Sequence, residues 1–221
     1  MSLLVIAPHP DDETVGAGGL LLRARDENTP IHWLVVTSTK DSPLYREADY
    51  ERREGVVDAV AREFRFDSVH RLRLPTTRLD ELPLGDIVGA IAPVVRELQP
   101  RELLLPFPGD VHSDHRVVFD AASACTKWFR FPSVKSVLCY EVISETEFGV
   151  DPTRAPFQPN VFVDISAQLE EKLRIAKLYE SELAAFPFPR SVEAIRALAQ
   201  FRGSTSGCHA AEAFMLLREI R

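Results

Sequence analysis

The sequence is poor in cysteine: Cys125, Cys139 and Cys208 are the only three in 221 residues, and no C-x-x-C pair occurs. An odd, widely spaced set excludes a disulfide framework and a thiolate metal cage. It reads as buried thiols in a reducing compartment. An excess of basic charge is also missing. Against 26 Lys and Arg stand 33 Asp and Glu, a formal charge of −7, so no basic face is available for sequence-independent contact with nucleic acid or an anionic membrane. No apolar run approaches the ~20 residues that cross a bilayer, and the start "MSLLVIAPHPDDE" lacks the basic flank of a signal peptide. A cytoplasmic protein with no nucleic-acid partner and no membrane span is expected. Internal repeats and low-complexity tracts are absent as well.

What remains is an ordinary globular composition, 45% hydrophobic and 27% charged, at a length that fits one domain over residues 1–221. The first half alternates strand and helix patterns. A short, continuously apolar run at 3–7 and a second buried run at 31–38 read as strands, 69–74 and 102–106 read as a third and a fourth, and 14–27, 46–64 and 84–99 read as helices, the last carrying Pro93. Such repetition predicts an α/β fold: a Rossmann-like, mostly parallel sheet with helices on both faces. Further on, 114–130 and 167–183 look helical and 134–141 and 160–166 look like strands. The prolines at 152–159, 187 and 189 mark loops within the same domain.

Charge gathers in two places. "PHPDDE" (8–13) follows the first strand and "PFPGDVHSDHR" (106–116) follows the fourth. With strand order 3-2-1-4, both loops open onto the crevice at the switch point, where such sheets bind ligands. Zinc takes histidine nitrogen and carboxylate oxygen, and a catalytic site keeps a fourth position for water. His9, one of Asp11 and Asp12, and one of His112 and His115 supply three ligands. The carboxylate and histidine left over suit proton transfer and the stabilisation of a developing oxyanion. "GAGG" (16–19) imitates a dinucleotide loop, but Leu21 stands where the third glycine belongs and three acids precede it. Those glycines are expected to let the first helix pack closely.

The pair "PHPDDE" and "HSDH" resembles the marks of the PIG-L/LmbE family of zinc-dependent N-deacetylases. "ERREGVVDAVAREF" is similar to that family's arginine-bearing helix and "RGSTSGCHAAEAF" (202–214) to its C-terminal segment. The resemblance implies a metal held by His9, Asp12 and His115, zinc or another divalent ion such as Fe2+. It implies Asp11 as general base, His112 as the stabiliser of the tetrahedral intermediate, Asp114 as a partner behind the ligands, and Arg53, in preference to Arg52, as a substrate contact. The implied reaction removes the N-acetyl group of an amino sugar or its conjugate. Cleavage of a larger thiol-sugar amide and a silent metal- or sugar-binding module are the alternatives. The family's T-x-G-E-like and L-P-D-G-like turns are replaced by "TSTKDS" (37–42) and "LPTTRLD" (74–80), which puts the difference in substrate recognition. His209 lies in the tail that the family folds back near the site. Trp128, Phe129 and Phe131 suit the core or a subunit contact in a homo-oligomer.

Overall fold

A computed structural model describes residues 2–40, 42 and 45–221. Strands β1 (Leu3–Ala7), β2 (Ile31–Ser38), β3 (Ser68–Pro75), β4 (Glu102–Pro106), β5 (Ser136–Tyr140), β6 (Val161–Asp164) and β7 (Ala211–Glu219) form one sheet. Its order is β3-β2-β1-β4-β5-β7-β6. The first five strands run parallel, while β7 is antiparallel to both β5 and β6. The expected order of the first four strands is therefore found, and chain from both halves completes the same sheet.

Alternation along β1 divides the core. Leu3, Val5 and Ala7 face α1 (Asp12–Asp26) and α2 (Glu47–Phe64) in one cluster. Leu4 and Ile6 face α3 (Leu84–Leu98) and α4 (Ser113–Ser123) in the other. A strand buried on both faces needs apolar residues at every position, which is why these runs are continuous. Each fully buried Leu or Ile contributes ~1.5–3 kcal/mol. Pro93 lies inside α3 without ending it.

Two glycines of α1 allow the close packing that the sequence suggested. A Cβ on Gly16 would lie 2.4 Å from the Tyr140 ring, and one on Gly19 would lie 2.5 Å from Ile165. The middle of α1 also receives a buried ion pair. Glu212 on β7 accepts from the backbone N–H groups of Gly19 and Leu20, both at 2.7 Å. Lys172, on α5 (Leu169–Ala176), donates to the Val15 carbonyl at 2.7 Å and to Glu212 at 2.6 Å.

Three expectations need correction. The helix expected at 114–130 ends at Ser123, followed by a 3-10 turn to Thr126; the chain leaves the helical path so that Phe131 enters the core. Trp128 and Phe129 lie on the surface, 66% and 62% exposed, which removes the core reading for them and leaves that of a subunit contact. The helix expected at 167–183 stops at Ala176, because Tyr179 turns inward to donate its hydroxyl to Glu13 at 2.7 Å. Helix α6 (Val192–Ser206), capped by Ser191, and strand β7 were not anticipated. Among the described residues no helix is long and apolar enough to cross a membrane.

Candidate metal centre and active site

The loops after β1 and β4 meet at the carboxyl edge of the sheet. His9, Asp12 and His115 bring one potential ligand atom each within 4.8 Å of one another. Asp12 Oδ2 lies 3.4 Å from His9 Nδ1 and 3.2 Å from His115 Nε2. Neither contact is a well-formed hydrogen bond, and both Asp12 Oδ1 and His115 Nε2 are buried without a hydrogen-bond partner. Orphaned buried acceptors and donors are costly unless something else engages them. Converging nitrogen and carboxylate atoms of this kind fit a divalent metal.

Each histidine is oriented from behind. The far nitrogen of His9, Nε2, bonds Asp114 Oδ2 at 3.0 Å, and that of His115, Nδ1, bonds Asp110 Oδ2 at 2.8 Å. A carboxylate on the far nitrogen fixes the tautomer and raises ligand basicity, the usual support of a metal-binding imidazole. Asp114 is fixed in turn by the N–H groups of Thr77 at 2.7 Å and Leu79 at 3.2 Å. Thr77 is the fourth residue of the divergent "LPTT" turn, and it holds φ at 62°, a conformation that a β-branched residue adopts only under strain. A second convergence, His9–His112–Asp114, also exists. Its atoms are already engaged: His112 Nδ1 accepts from Asp114 N at 3.1 Å. The first set is therefore the better metal site.

The electrostatics follow from burial and pairing. Burial alone would lower His9 and His115, yet the Asp114 hydrogen bond and the adjacent Asp12 carboxylate lift His9 to about 9, and the charge of Asp12 with the Asp110 bond lifts His115 to about 10. Burial works against the Asp12 charge, but His115 and His9 together outweigh it and hold the carboxyl well below the usual range. His112 goes the other way. Burial, with the neighbouring histidine charges, pushes it down to about 4, so it is neutral. Because Nδ1 accepts a backbone N–H, the ring proton resides on Nε2.

Asp11 stands apart from the ligand cluster. Its backbone sits at φ 130°, an unusual conformation for any residue but glycine, held by donation of its N–H to Glu13 Oε2 at 3.1 Å. Burial lifts its carboxyl to about 7 although the Arg190 charge opposes this. Arg190 donates to Asp11 Oδ2 at 2.5 Å, to Ser144 Oγ at 2.6 Å and to Glu145 at 3.1 Å. Asp11, His9 and His112 open into a cleft of about 370 Å³ that Tyr45, Tyr50, Arg53 and Glu182 also line.

The candidate residues from both loops thus come together, and Arg53 reaches the same cleft. Arg52 does not; it is exposed and pairs with Asp49. His209 is exposed on the turn before β7 and does not line the cleft. Glu212 in the same tail acts on α1 instead. Of the divergent turns, Thr37 to Thr39, Thr76 and Thr77 line the cleft, and Asp41 lies outside the described residues. Sequence reasoning missed Asp110, Glu13, Tyr179, Glu182 and Arg190. Asp110 sits inside the quoted "PFPGDVHSDHR" loop and carried a signal; Arg190 follows a Phe-Pro-rich turn and carried none.

Comparison with known proteins agrees with this geometry. Diacetylchitobiose deacetylase of Thermococcus kodakarensis is 26% identical over 231 residues, covering 95% of this chain and 80% of that protein. A probable N-acetyl-alpha-D-glucosaminyl L-malate deacetylase 2 of Bacillus anthracis is 23% identical, covering 82% of this chain and 81% of that one. Among solved structures, the conserved protein TT1542 of Thermus thermophilus superposes with a TM-score of 0.80 at 27% identity, covering 100% of this chain and 96% of its own. The family model described as PIG-L, GlcNAc-PI de-N-acetylase, matches residues 4–126, more than half of the sequence and the whole stretch from β1 through the H-x-D-H loop, and the chain belongs to that family.

Proposed function

We propose that the protein hydrolyses the N-acetyl group of an amino sugar or amino-sugar conjugate, giving acetate and a free amine. The observation that carries this reading is the meeting of three ligand-type atoms from His9, Asp12 and His115 with a separate buried carboxylate, Asp11, and a neutral imidazole, His112, at one end of a single cleft. Binding alone needs neither the base nor the donor. The relatives named as deacetylases of diacetylchitobiose and of a glucosaminyl malate add weight to the choice of an acetamide.

His9 through Nδ1, Asp12 through its carboxylate and His115 through Nε2 would hold the metal, with zinc the first choice and Fe2+ equally compatible with these donors. When bound, such an ion polarises a carbonyl and makes water acidic near neutral pH. Asp11 takes the proton of the attacking water. His112 offers Nε2–H to the amide oxygen as negative charge develops there, and a neutral ring does so without losing a proton of its own. The C–N bond then breaks, and Asp11 returns its proton to the departing nitrogen. Arg190 keeps the Asp11 carboxylate aimed and ionised through the cycle. Arg53 and the tyrosines beside it contact the rest of the substrate.

The test is direct. Metal-loaded protein, incubated with N-acetylated sugars in free and conjugated form, should release acetate and primary amine in equal amounts. Loaded protein that binds such a sugar tightly and releases neither would leave only the binding-module reading.

A further inference from the structure

The cleft carries two arginines, and arginines in a binding cleft ordinarily receive anions. Here both already face carboxylates. Arg53 is bonded to Glu182 and lies over the Tyr45 ring, 5.2 Å from its centroid. Arg190 is divided among Asp11, Ser144 and Glu145. The described residues lining the cleft include four carboxylates, Asp11, Glu54, Glu145 and Glu182, against these two guanidiniums. Glu54 is itself held from outside by Arg71 at 3.4 Å and Arg73 at 3.2 Å.

Resting on the amide-hydrolysis reading, we infer that the cleft selects uncharged N-acetyl glycosides, with a neutral sugar seated on the Tyr45–Arg53 side, and rejects conjugates that carry an anionic group there. An anion approaching Arg53 would have to sit against the Glu182 carboxylate or displace it. The displaced carboxylate would find Arg190 Nη1, 4.0 Å away, already bonded to Asp11. Three carboxylates would then share one guanidinium, and like charges so placed repel. A neutral sugar demands no displacement. Its ring can lie against the tyrosines, and its hydroxyls find polar wall groups such as Thr39, whose Oγ1 is buried with no hydrogen-bond partner among the described residues. The volume leaves room beyond the single acetamido ring.

The decisive experiment uses a matched pair: a disaccharide of N-acetylglucosamine linked to glucose, and the same disaccharide with the glucose C6 oxidised to a carboxylate. The zinc-loaded enzyme should give kcat/KM for the neutral compound about ten-fold or more above that for the acid. Equal or better turnover of the acid overturns the inference while leaving amide hydrolysis intact. Calorimetry with Asp11→Asn protein reads binding of both compounds, so the charge question is answered even if neither is hydrolysed. Failure of hydrolysis alone sinks the functional reading, whereas tighter binding of the acid, or binding of neither, sinks this one. Glu182→Gln, which leaves Arg53 with a neutral partner, should bring the neutral-to-acid ratio down toward one. Being a ratio within one protein, it is insensitive to the folded fraction, and an unchanged ratio would overturn the role given to Glu182.

Discussion

His112 Nδ1 accepts the backbone N–H of Asp114 at 3.1 Å, so the loop geometry that caps α4 also decides which nitrogen of His112 carries the proton. The free Nε2–H then faces the cleft as a donor without a positive charge. His112→Ala is expected to keep its metal and lose ~10²–10³-fold in kcat, the usual cost of one oxyanion donor. Elemental analysis and steady-state kinetics on the same sample check both halves. Loss of metal would mean that His112 is a ligand.

Asp11→Asn separates base from ligand. The amide fills the same space and still faces Arg190, so metal content should stay near one equivalent while kcat falls ~10²–10⁴-fold. Metal loss with a modest rate effect would exchange the roles of Asp11 and Asp12.

In metal-free protein the ligand set holds protons in place of a cation. With His9 lifted to about 9 and His115 to about 10, both imidazoles are protonated near neutrality, and ligation requires each to give up one proton. Raised values mean that the charged rings prevail below about 9, so apparent metal affinity should climb as pH rises from about 6 to about 8. Calorimetric titration of metal into apoprotein, repeated in buffers of different ionisation enthalpy, should count about two protons released. A count near zero would show that the metal sits elsewhere.

The supports behind the ligands are a separate test. Asp110→Asn leaves every ligand in place but removes the carboxylate charge from His115 Nδ1, and metal affinity should weaken by ~10–100-fold. His115→Ala should lower metal occupancy far more. If competition against a chelator shows no change for Asp110→Asn, the orienting role fails.

Lys172→Met leaves Glu212 buried beside the middle of α1 without its cation. Removing one partner of a buried pair typically costs ~3–5 kcal/mol, far more than the pair adds over well-packed apolar groups. Urea unfolding should show that loss. A change under about 1 kcal/mol would mean that the Gly19 and Leu20 N–H groups alone satisfy Glu212.

Legibility in the sequence followed the physics of burial. Strands β1, β2 and β4 are buried along most of their length, so each is a largely apolar run with little else it could be, while the edge strand β3 alternates apolar and charged residues. Strand β7 hides because Glu212 breaks its pattern, and nothing local reveals that this charge is answered by Lys172 forty residues earlier. The candidate metal site was legible because histidine and aspartate are dense in two short loops. The residues that tune them were not: Arg190 and Tyr179 come from turns whose sequence reads as a helix end or a proline-rich connection, and only tertiary structure brings them to Asp11 and Glu13. The length of α5 was misjudged for the same reason, since residues 177–183 have helical composition but are drawn inward by Tyr179.

The Lys172–Glu212 pair against α1 bears on the order in which the protein becomes competent during synthesis. Every proposed ligand, the base and the oxyanion donor emerge from the ribosome within the first 115 residues. Yet the helix that begins at Asp12 is gripped at its centre by Glu212, and the turn holding Asp11 is braced by Tyr179 and Arg190. A nascent chain therefore carries its chemical groups long before it can shape them, and its last strand acts as the latch. A chain lacking the final strand should still display the histidines to free metal while being unable to hold Asp11 in its working conformation, which keeps partly made enzyme silent.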